Sequence, residues 1–270
     1  MSISLQTNVA SLMAQENLRV NNEFQNKTIG RLTSGYRINS SGDDAAGLAV
    51  ANQYRSNVTE LTQGVRNAND GVSTLQIIDG GISNISKILD RLKTLATESA
   101  SDTFNGDRST LDQEFQDLLG EIDRQAGNIG LDTGGTYVNT LNIYIGGATA
   151  NVTVDLTTAA VDTAGLGFSS NAVDTAANAV TAISAINTAL TNLGLAQGAV
   201  GSGENKLGFA VALAQSQVSS YSAAESRIRD ADVAAEAANM TKAQVLQQAT
   251  VAAMAQANSA PQVVLGLLRG

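Results

Sequence analysis

Two groups of carboxylates stand close enough along this chain to suggest chemistry. One is Asp43 with Asp44; the other is Asp230, Asp232 and Glu236. Acids paired in this way serve general acid–base catalysis or hold a divalent cation. Asp230-Ala231-Asp232 lacks the third oxygen-bearing position and the glycine that a calcium loop needs. The chain has no His and no Cys, so a Ser–His pair and a thiol nucleophile are excluded and the commonest transition-metal ligand is missing. No Gly-Lys-Ser/Thr element occurs, and no GxGxxG follows a strand-like run. The carboxylates are therefore read as helix caps and solvated helix faces, with Asp43 or Asp44 as the N-cap of a long helix. The expectation is a protein with no active site, cofactor or metal.

The elements that carry these acids are helical. From Leu48 an apolar series runs through Val58, Leu61, Val65, Val72, Leu75, Ile78, Ile82, Ile85, Leu89, Leu92 and Ala96. That spacing predicts a helix of about fifty residues, against about 11–12 for an average one. Gly80-Gly81 marks a weak point in it, not a stop. Leu111 to Ile129 keeps helical spacing, and Gly130, Gly134 and Gly135 follow. The period then changes to two at Leu141, Ile143 and Ile145, and again at Val152, Val154 and Leu156, which predicts a β-hairpin. Thr157 to Ser170 shows no period and is read as loop. From Ala179 to Ile228 a mostly apolar series alternates steps of four and three, through Ile183, Ile186, Leu190, Leu193, Gln197, Val200, Glu204 and Leu207. That is a heptad seam and implies coiled-coil packing. Five glycines from Gly194 to Gly208 allow a kink there.

The two ends differ from everything between them. No charged residue stands between Lys242 and Arg269, or before Glu16. Leu246, Ala249, Ala253, Ala257, Val264 and Leu267 recur at helical steps, as do Leu5, Val9, Leu12 and Val20. Five glutamines break the C-terminal run, so it is not read as a membrane span. Both helices need a partner for their apolar faces, and the reading is that they bury against each other and against copies of themselves. A net charge of −9, with no basic residue from Gln125 to Asn205, argues against a nucleic-acid partner. With aromatics at 4% and no Trp, burial falls to aliphatic residues along helices. The expected fold is mainly α: an elongated antiparallel helical bundle or coiled coil with a small β-hairpin. No secretory signal is visible at the N-terminus.

Several motifs, in order, resemble bacterial flagellins. They are LTSGYRIN (32–39), DDAAGLAVANQ (43–53) and RNANDGVSTLQ (66–76) in the first half. In the second half they are RIRDADVAAE (227–236), LQQATVAAMAQAN (246–258) and PQVVLGLLR (261–269). The resemblance implies a self-assembling subunit of the extracellular flagellar filament, serving swimming motility, with the terminal helices forming an inner helical core. It divides the chain into inner-core helices (1–42 and 235–270), a bundle layer (43–135 and 171–234) and a hairpin with a short variable loop (136–170). It also implies unfolded type III export, a secretion chaperone on the C-terminal helix, a filament cap protein and a hook–filament junction protein as partners. Some flagellins meet a vertebrate Toll-like receptor, which would place contacts at Arg91, Leu95 and Glu114; Asp90 departs from the usual neutral residue there. Metalloprotease-bearing flagellins insert HExxH between the halves, which a chain without His cannot. The final Gly270 extends past the usual terminal Arg without an account.

The nearest alternative is the hook–filament junction protein, whose counterpart loop carries a Pro after the paired acids. Ala45-Ala46 stands there instead and favours the filament subunit. A generic secreted coiled-coil binder explains the heptads but not two uncharged ends.

Overall fold

The computed structural model describes residues 7–147, 151–168 and 171–269, with side chains to residue 259. Its elements are α1 (Val9–Ser34), α2 (Ala45–Ala100), α3 (Arg108–Asn128), β1 (Thr140–Tyr144), β2 (Asn151–Asp155), α4 (Thr163–Leu166), α5 (Ala176–Arg229) and α6 (Val233–Arg269). They form two compact units, one within residues 1–56 and 220–270 and one within 57–219, so the boundaries fall inside α2 and α5.

In the unit of residues 57–219, α2 buries one residue at alternating steps of three and four from Leu61 to Ser99 without interruption. That is a complete heptad stripe. It includes Gly64, Ala68 and Gly71, where the sequence had pointed to Val65 and Val72; those two are half-buried at its flank. The reason lies in the hairpin. A Cβ on Gly64 would run into the backbone carbonyl of Ile145, and one on Gly71 into the Ile143 side chain. At these two positions β1 and the residue that follows it lie where a side chain would otherwise stand.

The α5 stripe shifts in the same way. Ala179, Ile186, Leu193, Val200 and Leu207 are buried as the heptad predicts, but the alternate positions are Ala182, Ala189, Ala196 and Gly203. Ile183 and Leu190 are half-buried, and Gln197 is exposed. Bulk misled the frame: the small residues are what let neighbouring elements approach. Gly203 shows it, since a Cβ there would stand 2.5 Å from Val154 Cγ1 and 3.1 Å from Leu75 Cδ1. Lys93 donates to Asn187 Oδ1 at 3.0 Å. Contacts of α2 at residue 75 with α5 at 203, and at 93 with 187, make the two helices antiparallel.

The third helix runs back along α2. Arg91 meets Glu114, and Gly81 faces Ile129, whose Cγ2 would lie 2.5 Å from an added Cβ. Gly81 is thus a close-approach position inside an unbroken helix. Phe115, Ile122 and Ala126 fill the inner face of α3. Asp107 caps it by accepting from Ser109 N at 2.9 Å.

The hairpin pairs Leu141 with Val154 and Ile143 with Val152; residues 148–150 of its turn lie outside the described residues. Ile143, Ile145, Val154 and Leu156 are buried, as the alternation predicts. Glu60 latches its end, accepting from Tyr144 OH at 2.6 Å and Gly147 N at 3.2 Å. These bonds, Tyr144 first, lower the Glu60 pKa. Within the expected loop, 163–166 form the short helix α4. The segment is tethered along α3: Thr163 N donates to Asp123 and Val173 N to Asp112.

In the other unit, α1 and α6 lie antiparallel. Asn8 caps α1 by accepting from Ser11 N, and Gly35 (φ 73°) closes it with its N–H on Arg31 O. The connections pair as well: Arg37 N donates to Arg229 O at 2.6 Å and Ala231 N to Gly35 O at 2.9 Å. The Arg229 guanidinium lies 4.0 Å over the Tyr36 ring. Asp44 is the N-cap of α2, accepting from Gly47 N at 2.8 Å. Asp43 instead meets Lys27 Nζ at 2.7 Å and accepts from Ser40 N. The Lys27 contact, then the backbone bonds, hold its carboxyl well below the usual aspartate range.

Glycine substitutions should separate by surroundings. Gly198 has open space where a Cβ would go. Gly198→Ala should therefore stabilise the chain by about 1 kcal/mol, read as a raised Tm. Gly203→Ala and Gly64→Ala should lower the Tm, and uniform behaviour of the three would contradict the packing described. Asp43 has a depressed folded-state pKa, so its contribution is complete above the unfolded value of about 4 and is lost as pH falls through the folded value. Asp43→Asn should accordingly destabilise at pH 7, with the difference from the natural chain shrinking in denaturant titrations below about pH 4.

Candidate polymerisation surface

The acidic groups all have structural partners. Asp232 caps α6 by accepting from Ala234 N and Ala235 N. Asp230 accepts from Ser226 OH at 2.6 Å, and Glu236 pairs with Arg31 at 2.9 Å. Among the described residues no group of three acids is placed to hold a metal.

The pairing of α1 with α6 uses an unexpected seam. On α1 its buried members are Ser11, Ala14, Asn21 and Thr28, at heptad spacing. On α6 they are Glu236 and Ala243, with Met240, Gln247 and Met254 half-buried. Side-chain amides join the helices: Asn8 Nδ2 donates to Ala257 O at 2.8 Å and Asn21 Nδ2 to Ala243 O at 2.9 Å. Gln247 donates to Asn22 Oδ1 at 3.3 Å.

The apolar residues singled out from the sequence lie elsewhere. Val9, Leu12 and Val20 are 59%, 55% and 50% exposed, and Leu246 is 44% exposed. Ala249 and Ala253 are exposed and Ala257 is half-buried. Leu5 lies outside the described residues, as do the side chains of Val264 and Leu267 on α6 and the whole of Gly270. The structure adds Met13, Phe24 and Ile29 on α1 and Val245 and Val251 on α6 as exposed apolar residues. A stricter test of which positions share the heptad with Ser11 and Asn21 would have found them. An open groove of about 470 Å³ runs between the helices, lined by Ala10, Met13, Asn17, Ala249 and Ala253. Two helices that bury small and polar residues between them and expose aliphatic side chains leave an apolar surface of the kind that marks interaction sites.

The second set of residues is split. Arg91 Nη2 and Glu114 Oε1 are 2.6 Å apart and exposed, joining α2 to α3. Leu95 is buried at 1% exposure.

Comparison with known proteins identifies the family. Residues 5–131 match the bacterial flagellin N-terminal helical region, and residues 183–268 match the bacterial flagellin C-terminal helical region. A flagellin of Halalkalibacterium halodurans is 33% identical over 97% of this chain and 98% of its own length. A flagellin of Listeria monocytogenes is 34% identical over 98% of this chain and 99% of its own. Flagellin FlaB1 of Treponema pallidum is 31% identical, over 97% and 98%. With both helical regions matched and relatives aligned end to end, the chain belongs to the bacterial flagellin family.

Proposed function

We propose that the exposed aliphatic faces of α1 and α6 are the surfaces through which subunits join. As a flagellin, the chain is a structural subunit that assembles with its own kind into the extracellular flagellar filament, and it is not an enzyme. The observation that carries the finer reading is the seam. Intrachain pairing hides Ser11, Asn21 and Thr28 while Val9, Leu12 and Met13 face outward.

Magnitudes favour a shared event. Ordering a helix costs roughly 1–2 kcal/mol per residue in backbone entropy. Fully burying a Val, Leu or Met side chain returns about 1.5–3 kcal/mol. On the terminal pair most of that return is uncollected in one chain, so neighbours must supply it. Ordering of the ends and polymerisation then coincide. Residues 1–42 and 235–270 form the inner layer in this reading, 43–135 with 171–234 the surrounding bundle layer, and 136–170 a small outer element.

By likeness to other flagellins we infer finer partners: a cap protein at the growing tip, the hook–filament junction protein, a secretion chaperone on α6 and the type III export apparatus. Arg91 and Glu114 would form the exposed part of a host-receptor contact, with Leu95 shaping it from beneath.

Val9→Asp and Leu246→Asp should each block seeded filament growth in electron micrographs, with little change in helix content by circular dichroism. Normal growth of both variants would remove these faces from the interface. Deleting residues 250–270 should likewise abolish growth while leaving the α2, α3 and α5 helix signal. Unimpaired growth of that truncation contradicts the proposal.

A further inference from the structure

We infer that Asn105-Gly106 is a site of spontaneous modification, where the chain releases ammonia, takes up water and gains a carboxylate. The inference rests on the connection between α2 and α3 alone and asks nothing of α1 or α6. Two groups of the chain react. The Gly106 main-chain nitrogen, once deprotonated, attacks the Asn105 side-chain carbonyl carbon. The new C–N bond closes a succinimide, and the side-chain nitrogen leaves as ammonia, carrying the proton that Gly106 gave up. Water then opens the ring at one of its two carbonyls. Opening at the side-chain carbonyl restores the main chain with Asp at this position. Opening at the main-chain carbonyl leaves isoaspartate, with one extra methylene in the main chain. Water is the only co-reactant in the balance.

Both groups are available in this loop. The sequence holds no other Asn-Gly pair. Asn105 and Gly106 are exposed, and among the described residues neither the Asn105 side chain nor the Gly106 N–H has a hydrogen-bond partner. Gly106 also brings no Cβ to crowd the closing ring. Elsewhere in the unit of residues 57–219 the attacking nitrogen is committed. The residues after Asn67, Asn84 and Asn187 are helical, with their N–H groups held by the carbonyl four residues back. Ile129 N, after Asn128, donates to Gln125 O at 3.2 Å. The flanks of the loop are fixed: Arg108 donates to Ser99 O at 3.1 Å and Ser101 O at 3.0 Å, and Asp107 caps α3. The Arg108 guanidinium stands 5.6 Å from the centre of the Phe104 ring. A Cβ on Gly106 would lie 2.5 Å from Phe104 Cζ, so the glycine main chain rests on that ring. The pair is thus kept out of both helices, whose hydrogen bonds would protect it. Among neighbouring charges, Arg108 and the start of α3 favour loss of the Gly106 proton, and the carboxylates of Asp102 and Asp107 oppose it. The product places a charge before the α3 cap, and the isoaspartate form lengthens the connection. In an extracellular filament the change accumulates with the age of each subunit.

The test incubates the full chain, as the isolated subunit, in heavy-oxygen water at mildly alkaline pH and then maps its peptides. The tryptic fragment of residues 94–108 carries Asn105 as its only side-chain amide, so an amide-to-acid mass gain there belongs to that residue. Heavy oxygen in the product shows that it formed during incubation and not during digestion in ordinary water. Asn105 should be modified at least about tenfold faster than Asn128, a difference of about 1.4 kcal/mol in barrier. Asp and isoaspartate should both appear, and the rate should fall at mildly acidic pH, where less of the amide nitrogen is deprotonated. Asn105→Gln, whose ring would be one atom larger, should stop the modification and leave the Tm unchanged, since the Asn105 side chain has no partner to lose. Gly106→Ala should slow it by a similar factor. Equal rates at Asn105 and Asn128 overturn the inference. So does Asp formed without isoaspartate, which would mean direct hydrolysis of the amide, and so does an unchanged rate in Gly106→Ala.

Discussion

Two antiparallel helices share one seam, and whatever does not fit there must be covered by something else. In this flagellin the seam of the terminal pair is occupied by Ser11, Asn21, Thr28 and Ala243. Val9, Leu12, Met13, Leu246 and Val251 are left outside. A soluble monomer would be built the other way round, with the aliphatic residues between the helices and the amides outside. The inversion leaves much of the pair's apolar surface in contact with solvent, and in the proposed assembly neighbouring subunits cover it.

The unit of residues 57–219 has the opposite design. Its α2 stripe is buried without a break from Leu61 to Ser99, and the α5 stripe follows from Ala179 to Leu207. Glycines at 64, 71 and 203 admit the hairpin and its aliphatic side chains so closely that no Cβ would fit. Close packing of this kind gains dispersion contacts throughout and tolerates little change. The core of that unit is closed within the chain, although Ile77, Leu195, Phe209 and Leu213 stay exposed, while the terminal pair buries mostly small and polar residues.

Much of this is legible in the sequence because it depends on local order. The extents of α2, α3 and α5, the alternation through Ile143 and Val154, and the Asp at the start of α2 follow from periodicity and capping. The errors share a physical cause. Assigning burial by side-chain size put Ile183 and Leu190 in the α5 seam, where Ala182 and Ala189 stand. Gly64 and Gly71 are buried because Ile145 and Ile143, at and just past the end of a strand far along the chain, lie against them, and no local pattern announces that. Leu95 is covered where α3 returns beside α2. The candidate surface was half legible: Val9, Leu12, Val20 and Leu246 were singled out for their apolar spacing. That they face away from the intrachain partner was hidden, because it requires recognising Asn21 and Ser11 as the inward side. Motif order carried the family where packing rules alone reached only a helical bundle.

Amide hydrogen exchange, compared between the isolated subunit and the seeded filament, tests the central claim most directly. Residues 9–34 and 233–259 should exchange readily in the isolated subunit and become strongly protected in the filament, while the α2 stripe from 61 to 99 stays protected in both. Protection of the terminal helices in the isolated subunit equal to that of α2 would show that they are complete without neighbours, and would contradict the account.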